Sequence, residues 1–257
     1  MLFHTVNHPM LTDKLTELKI VPISDTHIGD PNFDEKKLME KIREIKESEN
    51  TLALLNGDIV NNGIKSSISN CYEEVLRPSE QVKYAVKLFN PIKDKVIGAV
   101  EGNHERRTTK EVDQSPCERY CERLGIQYFS TEVFLKLRFG KSGAEGSPIY
   151  YGGFMTHGTG GGRTVGGKVN MLSRMADVVI ADFYIMSHTH QLAPHPEVIY
   201  IPDLRENKIR EQELWLVMSG SYLKRGGYAG EKIYSPVKLG SPTITLGGKR
   251  KEISVTI

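Results

Sequence analysis

Residues 19–27 read KIVPISDTH, an unbroken apolar run that stops at a carboxylate and an imidazole two places apart. Apolar residues without alternation are what a strand covered on both faces requires. The same grammar recurs downstream. After a loop, Asp34 can cap a helix to about residue 49, with Leu38, Ile42 and Ile45 spaced for one buried face. Residues 51–56 (TLALLN) give a second buried strand, ended by Gly57-Asp58. Pro78-Ser79 opens a helix to about residue 90, with Val82, Val86 and Phe89 on one face. Residues 95–101 (KVIGAVE) give a third strand, ended by Gly102, and Ser115-Pro116 starts a helix that ends near Gly125. Strand, loop and helix in repeated succession predict an α/β fold with parallel pairing at its start.

The second half has a different texture. Residues 132–139 and 148–156 read as strands joined by a Gly/Ser turn, and 168–176 as a helix. Residues 177–187, 198–201, 213–219 and 252–257 are further strand candidates. There is no internal repeat and no low-complexity linker. The Gly-rich stretches at 158–167 and 226–230 fall between strands, so residues 1–257 read as a single domain.

Composition narrows the class. The chain has 257 residues, 39% of them hydrophobic and 26% charged, as an ordinary globular protein does. With 34 basic and 32 acidic residues the net charge is +2, which neither demands nor excludes nucleic acid. The 3 cysteines do not form a disulfide framework. Cys117 and Cys121 share one helical face with no further thiol nearby in sequence, so reduced thiols in a cytoplasmic protein are expected. No apolar run approaches the ~20 residues of a membrane span. The opening MLFHTVNHPMLTDK lacks the basic and apolar succession of a secretory signal.

The chemistry concentrates at strand ends. Asp25-Thr26-His27, Gly57-Asp58 and Gly102-Asn103-His104-Glu105 follow the first three strands; His157 and Ser187-His188-Thr189-His190 follow two later ones. Open α/β sheets bind ligands at the carboxyl ends of their strands, so the clusters should converge. Of the 8 histidines, five (His27, His104, His157, His188, His190) fall inside these clusters. His4, His8 and His195 fit none and read as surface or packing residues. Imidazole and carboxylate without thiolate suit Mn, Fe, Zn, Ni or Co. Asp25, His27, Asp58, Asn103, His157, His188 and His190 are more donors than one ion can use beside substrate and water. Two ions sharing a carboxylate can use them, and paired ions clamp an in-line displacement.

In this set and order the motifs resemble those of the calcineurin-like metallophosphoesterases, from Asp25 to His190. The resemblance implies an α/β fold in the form of a four-layer αββα sandwich, two mixed β-sheets flanked by helices, with a dinuclear site at one edge. It implies that Asp25, His27, Asp58 and His190 hold one metal, that Asp58 bridges, and that Asn103, His157 and His188 hold the second. It implies two divalent transition-metal ions, manganese first. His104 would protonate the leaving oxygen or steady the phosphate, and a metal-bridged hydroxide would attack phosphorus in one displacement, giving His104 and Asp58 the catalytic roles. Two departures stand out. Ser187 occupies a position that is usually Gly, and Asn62 stands where protein phosphatases carry a phosphate-binding Arg.

Substrate contacts are expected from Arg163 and Lys168 in the Gly-rich stretch, from Arg106 beside His104, and from Asn62. Gly-rich backbone and a helix start both suit a phosphate. Arg106, Arg107 and Lys110 could line a polyanion. Tyr222, Tyr228 and Tyr234 around Lys224-Arg225 pair aromatic with basic groups, as nucleotide or single-stranded nucleic acid binding would use. The leading expectation is a phosphate-ester substrate, a phosphodiester in a nucleotide or nucleic acid, with no membrane involvement. The alternatives are a phosphomonoesterase on a small substrate and, more remotely, an inactive binding scaffold.

Overall fold

The computed structural model describes residues 2–68, 70–143, 146–160, 164–227 and 235–257. In chain order its elements are β1 (Leu2–Thr5), β2 (Glu17–Ile23), α1 (Glu35–Glu47), β3 (Thr51–Asn56), α2 (Pro78–Phe89), β4 (Val96–Val100), α3 (Asn103–Val112), α4 (Pro116–Leu124), β5 (Gln127–Phe129), β6 (Glu132–Lys141), β7 (Pro148–Thr156), α5 (Val165–Ser173), α6 (Met175–Val178), β8 (Phe183–Met186), β9 (Leu192–Asp203), β10 (Lys208–Ser219), β11 (Thr243–Gly247) and β12 (Ile253–Thr256).

Among the described residues the strands form two mixed sheets, ordered β12-β11-β2-β3-β4-β5 and β1-β6-β7-β8-β10-β9. In the first, β2, β3, β4 and β5 are parallel neighbours, as the repeated strand–helix pattern requires. In the second, β7, β8 and β10 are parallel. Both parallel cores therefore aim carboxyl ends at loops that can meet.

The period-2 alternation of strands stacks the layers. In β3, Ala53 and Leu55 face α1, α2 and α4, packing on Leu38, Ile42, Ala85 and Tyr120. Leu52 and Leu54 face the other way, into the space between the sheets, where they join Leu135, Phe183 and Val217. In β8 the parity repeats: Phe183 and Ile185 point inward, while Tyr184 and Met186 pack under Leu172 and Met175 of α5 and α6. The result is helices, sheet, sheet, helices, the expected αββα sandwich. The caps follow the sequence signals: Asp34 accepts from the Lys37 N–H, and Ser115 from the Glu118 N–H. Leu38, Ile42 and Ile45 are each almost fully buried, contributing about 1.5–3 kcal/mol apiece.

Several elements differ from expectation, besides the short strands β1, β5 and β11, which were not foreseen. The helix expected at 168–176 begins at Val165, ends at Ser173, and is followed by the separate turn α6. The strand expected over 177–187 shrinks to four residues, since Val178 and Ile180 are more than half exposed. The short runs at 198–201 and 213–219 are an inner part of β9 and the carboxyl-terminal half of β10, strands of twelve residues each, paired as one antiparallel hairpin whose tip stands in solvent. Helix α3 was not foreseen. Its buried residue is Glu105, so no apolar stripe announced it.

Candidate metal centre

Five strands deliver the site. β2 leads into Asp25 and His27, β3 into Asp58, β4 into Asn103 and His104, β7 into His157, and β8 into His188 and His190. The loops stay paired after the strands end. The Asp25 N–H donates to the Gly57 carbonyl at 3.1 Å, the His27 N–H to Asp58 at 3.0 Å, and the Ser187 N–H to His157 at 3.0 Å.

Bending these loops inward takes left-handed backbone. Asp25, His27, Asp58, Asn62, His188 and His190 have φ of 48°, 49°, 51°, 48°, 64° and 56°. Each such non-glycine conformation costs on the order of 1 kcal/mol and persists only where its surroundings enforce it. Glu105 supplies much of that enforcement. Its carboxylate accepts the N–H groups of Asp58, Ile59, Val60 and Gly102 at 3.0, 2.8, 3.2 and 3.1 Å. Burial, and then the nearby Asp58 charge, push the Glu105 carboxyl up to about 7. Gly57, with φ +80°, has no room for a side chain: a Cβ would lie 2.5 Å from His157 Nδ1.

The seven sequence-predicted ligands come together. Asp25, His27 and His190 each place a donor atom within 4.8 Å of the others, and so do Asp58, His157 and His188. Asn103 Oδ1 lies 2.7 Å from His188 Nδ1 and 3.2 Å from His157 Nε2, completing the second group. His27, Asp58 and His104 form a third grouping between them.

The hydrogen bonds around these rings test whether a cation fits. His157 Nδ1 lies 2.7 Å from the Asn56 carbonyl, which can only accept. Nδ1 therefore carries a hydrogen, and Nε2 points at Asp58 Oδ2, 3.2 Å away, so a proton or a cation has to lie between them. In the same way Asn61 donates its amide to Glu74 at 2.9 Å, which turns its Oδ1 to His27 Nδ1 at 3.1 Å. The His27 Nε2 lone pair then faces His190 Nε2 at 3.2 Å. Asp25 Oδ1 is buried, with His190 Nε2 3.3 Å and His27 Nε2 3.9 Å from it. Lone pairs facing lone pairs in a dry site need positive charge between them, and ligating histidines hold their other nitrogen in this manner. The residues fit divalent metal.

The electrostatics carry the same demand. Burial opposes a charged His157 ring, yet the Asp58 carboxylate beside it holds its pKa up to about 10. Burial would raise Asp58, but the His157 and His104 rings outweigh it and hold the carboxyl well below its usual range. Burial, with His104 and His190 nearby, pulls His27 well down. His104 is also lowered, first by burial. Its Nδ1 sits 2.7 Å from the Asn61 carbonyl and its Nε2 3.8 Å from Asp58 Oδ2.

Beneath the donors runs a polar chain that joins the two sheets. Ser24 Oγ meets Ser219 Oγ at 2.6 Å, Ser219 meets Ser187 at 2.7 Å, and the Asn56 amide donates to Ser187 Oγ at 2.6 Å and to the Thr156 carbonyl at 2.9 Å. Ser187, the departure from the usual glycine, thus has a specific use.

The expected substrate residues divide. Arg106 reaches toward Glu101 at 3.4 Å and lines a cavity beside Asn103 and His157. Lys168 donates to the Thr189 carbonyl at 3.0 Å, between His188 and His190. Asn62 is buried, its amide spent on the His104 carbonyl at 2.7 Å and Thr108 Oγ1 at 2.9 Å, so it braces α3. Tyr222 is fully buried with its hydroxyl on Ser241. Arg163, Tyr228 and Tyr234 lie outside the described residues. Sequence reasoning gave no role to Glu105, Asn61 or Asn56. A Glu three residues after the helix-opening Gly102, the carboxylate half of a capping box, was the available signal for the first.

The family model described as calcineurin-like phosphoesterase matches residues 18–192. No curated protein gives a match. Among solved structures, GAP50, the anchor in the inner membrane complex of Plasmodium, aligns with TM-score 0.51 and 10% identity, covering 94% of this chain and 84% of that one. Vacuolar protein sorting 29 from Cryptosporidium parvum aligns with TM-score 0.45 and 14% identity, covering 94% and 98%. A conserved uncharacterised protein from Streptococcus pneumoniae, a predicted phosphoesterase, aligns with TM-score 0.40 and 11% identity, covering 94% and 90%. With its motifs in one place and more than half its length matched, the chain belongs to the calcineurin-like phosphoesterase family.

Proposed function

We propose that this protein hydrolyses a phosphodiester in a nucleotide or nucleic acid at a centre of two divalent transition-metal ions, manganese first. The observation that carries the reading is the pair of donor groups, Asp25/His27/His190 and Asp58/His157/His188, linked by a third in which Asp58 stands with His27 and His104. When bound, such ions would supply Lewis acidity to the phosphate oxygens and a nucleophile near neutral pH.

The chain's own residues do the rest. Asp58 and Asp25 hold negative charge in a dry pocket, fixing where cations sit. Asn56 and Asn61 orient His157 and His27. His104, partly exposed beside Asp58, is placed to give a proton to the leaving oxygen, a contribution typically of ~10²–10⁴-fold. Among the described residues, Ser187 Oγ is bonded to Ser219 and Asn56 and Ser221 Oγ donates to the Asp25 carbonyl, so neither is presented as a nucleophile, which supports a single displacement.

A diester is favoured over a monoester because Arg106 and a cavity lie to one side of the donors, where a second ester group has room. All seven ligand positions carry competent side chains, which argues against a scaffold. Cys117 and Cys121 are buried and unpaired, which supports a reducing cytoplasmic setting. No described helix is long and apolar enough to cross a membrane.

The test is turnover of bis-p-nitrophenyl phosphate against p-nitrophenyl phosphate with Mn²⁺, with His104→Ala alongside. Clear preference for the monoester overturns the diesterase reading. Absence of bound transition metal in purified protein, with no Mn²⁺-dependent turnover of either ester, overturns the enzymatic one.

A further inference from the structure

A cavity of about 440 Å³ opens directly off the metal centre, sharing Asn103 and His157 with it. That size falls in the ~300–1,000 Å³ range of small-ligand pockets. Its floor is Phe154, Met171, Met175 and Met186, from β7, α5, α6 and β8. Arg106 and Arg174 stand at its margin. Phe154, Met175 and Met186 are buried, and Arg174 is exposed.

The backbone is thinned where it passes this floor. Gly158, with φ +91°, lies so close to Met186 that a Cβ would sit 2.6 Å from its Cγ. Gly160, with φ +102°, lies against Met171 in the same way, at 2.5 Å. Both glycines lie within three residues after His157 in the chain. The loop that carries a metal ligand is therefore seated on thioethers.

We infer that this cavity is a nucleobase subsite. The inference rests on the phosphoesterase reading above, because the cavity gains meaning from a phosphate held at the adjoining donors. Thioethers and a phenyl ring suit a flat aromatic system, to which sulfur contributes favourable contacts. Thr131 and Thr159 line the same cavity and carry hydroxyls suited to a base edge, while the Thr156 hydroxyl donates to the Thr131 carbonyl at 3.2 Å. A hydrocarbon chain would leave those groups unmet, which disfavours a lipid phosphate. The exposed Arg174 suits a further phosphate or the face of a ring, whereas Arg106 is held by Glu101 and the Ser130 carbonyl, and Glu101 and Glu132 also line the cavity.

The experiment follows methionine methyl groups by NMR in ¹³C-methyl-methionine protein, with Zn²⁺ in place of paramagnetic Mn²⁺. Of the chain's 8 methionines, three line the cavity. Adenosine 5′-monophosphate is expected to shift the Met171, Met175 and Met186 methyls by ring current, and ribose 5-phosphate to leave them in place. Met171→Trp, filling the floor, is expected to weaken the adenosine ligand about tenfold and ribose 5-phosphate hardly at all. A dinucleotide arm assigns the source: stronger shifts than the mononucleotide's point to chain ends, weaker ones to free nucleotides, and either supports the subsite. Equal behaviour of adenosine and ribose phosphates, or larger shifts with dodecyl phosphate, overturns it. Inactivity on bis-p-nitrophenyl phosphate with the shifts intact would fail the diesterase reading and leave the subsite standing.

Discussion

The two sheets contribute unlike halves to one centre. From β2, β3 and β4 come both carboxylates, Asp25 at 0% and Asp58 at 1% exposure. From β7 and β8 come only imidazoles, and the His190 side chain is 29% exposed. Fixed negative charge sits in the dry half, and the other half adds imidazoles alone, His157 buried and His190 partly exposed. Dry charge is costly to leave unpaired, so the first half creates the need for cations, and the second adjusts how firmly they are held.

The hardest blow to this contrast falls on Asp58. Asp58→Asn is expected to strip bound metal and lower kcat/KM roughly 10³-fold or more, while His190→Ala lowers metal affinity roughly 10–100-fold and is partly rescued by excess Mn²⁺. Metal content and Mn²⁺ titrations of both variants decide it. A His190 variant more damaged than the Asp58 variant would invert the assignment.

Next comes the seam between the halves. Asn56→Ala removes the amide that joins Thr156 and Ser187 while leaving the carbonyl that holds His157. It is expected to weaken metal binding about tenfold and unfolding stability by about 1–3 kcal/mol. Unchanged affinity in calorimetry would mean the halves are aligned by the sheets alone.

A pH series sharpens the contrast without mutation. The pKa of His157 is raised from 6.5 to about 10, chiefly by the Asp58 carboxylate working against burial. The folded state holds that proton more tightly, so its stabilisation is complete below pH 6.5 and disappears as pH rises through 10. Chelator-treated protein should lose roughly 5 °C of Tm across that window, and metal-loaded protein much less, since a cation takes the proton's place. Parallel melting curves for the two forms would refute the exchange of proton for cation. The smallest effect is expected at the seam's middle. Ser187→Gly restores the more usual residue and should cost about 1 kcal/mol in denaturant unfolding with little change in rate, unlike Asn56→Ala.

The same division governs what could be read in advance. The first half was legible because its parallel strands are buried on both faces, so TLALLN needs no partner to look like a strand. The ligands were legible because each strand ends on one. Helix α3 was not, because its inward residue is the carboxylate Glu105. The β9–β10 hairpin showed only part of each strand, since its outer half packs on little and keeps polar residues. Short β1, β5 and β11 carry too few residues for a period to declare itself. Asn56, Asn61 and Glu105 act through backbone groups of residues far away in sequence, or through side chains with no pattern of their own. Asn62 and Tyr222 misled because residue type says nothing about which way a side chain turns.

The left-handed residues of the centre have a practical implication for anyone trying to make this protein withstand heat. Replacing Asp25, His188 or His190 with glycine would relax a backbone that the native side chain tolerates poorly, and such changes belong among the cheapest routes to a higher melting temperature. Every one of them deletes a proposed metal donor. Durability and chemistry compete here for the same few positions, and selection for toughness alone would yield a sturdier molecule that no longer does anything.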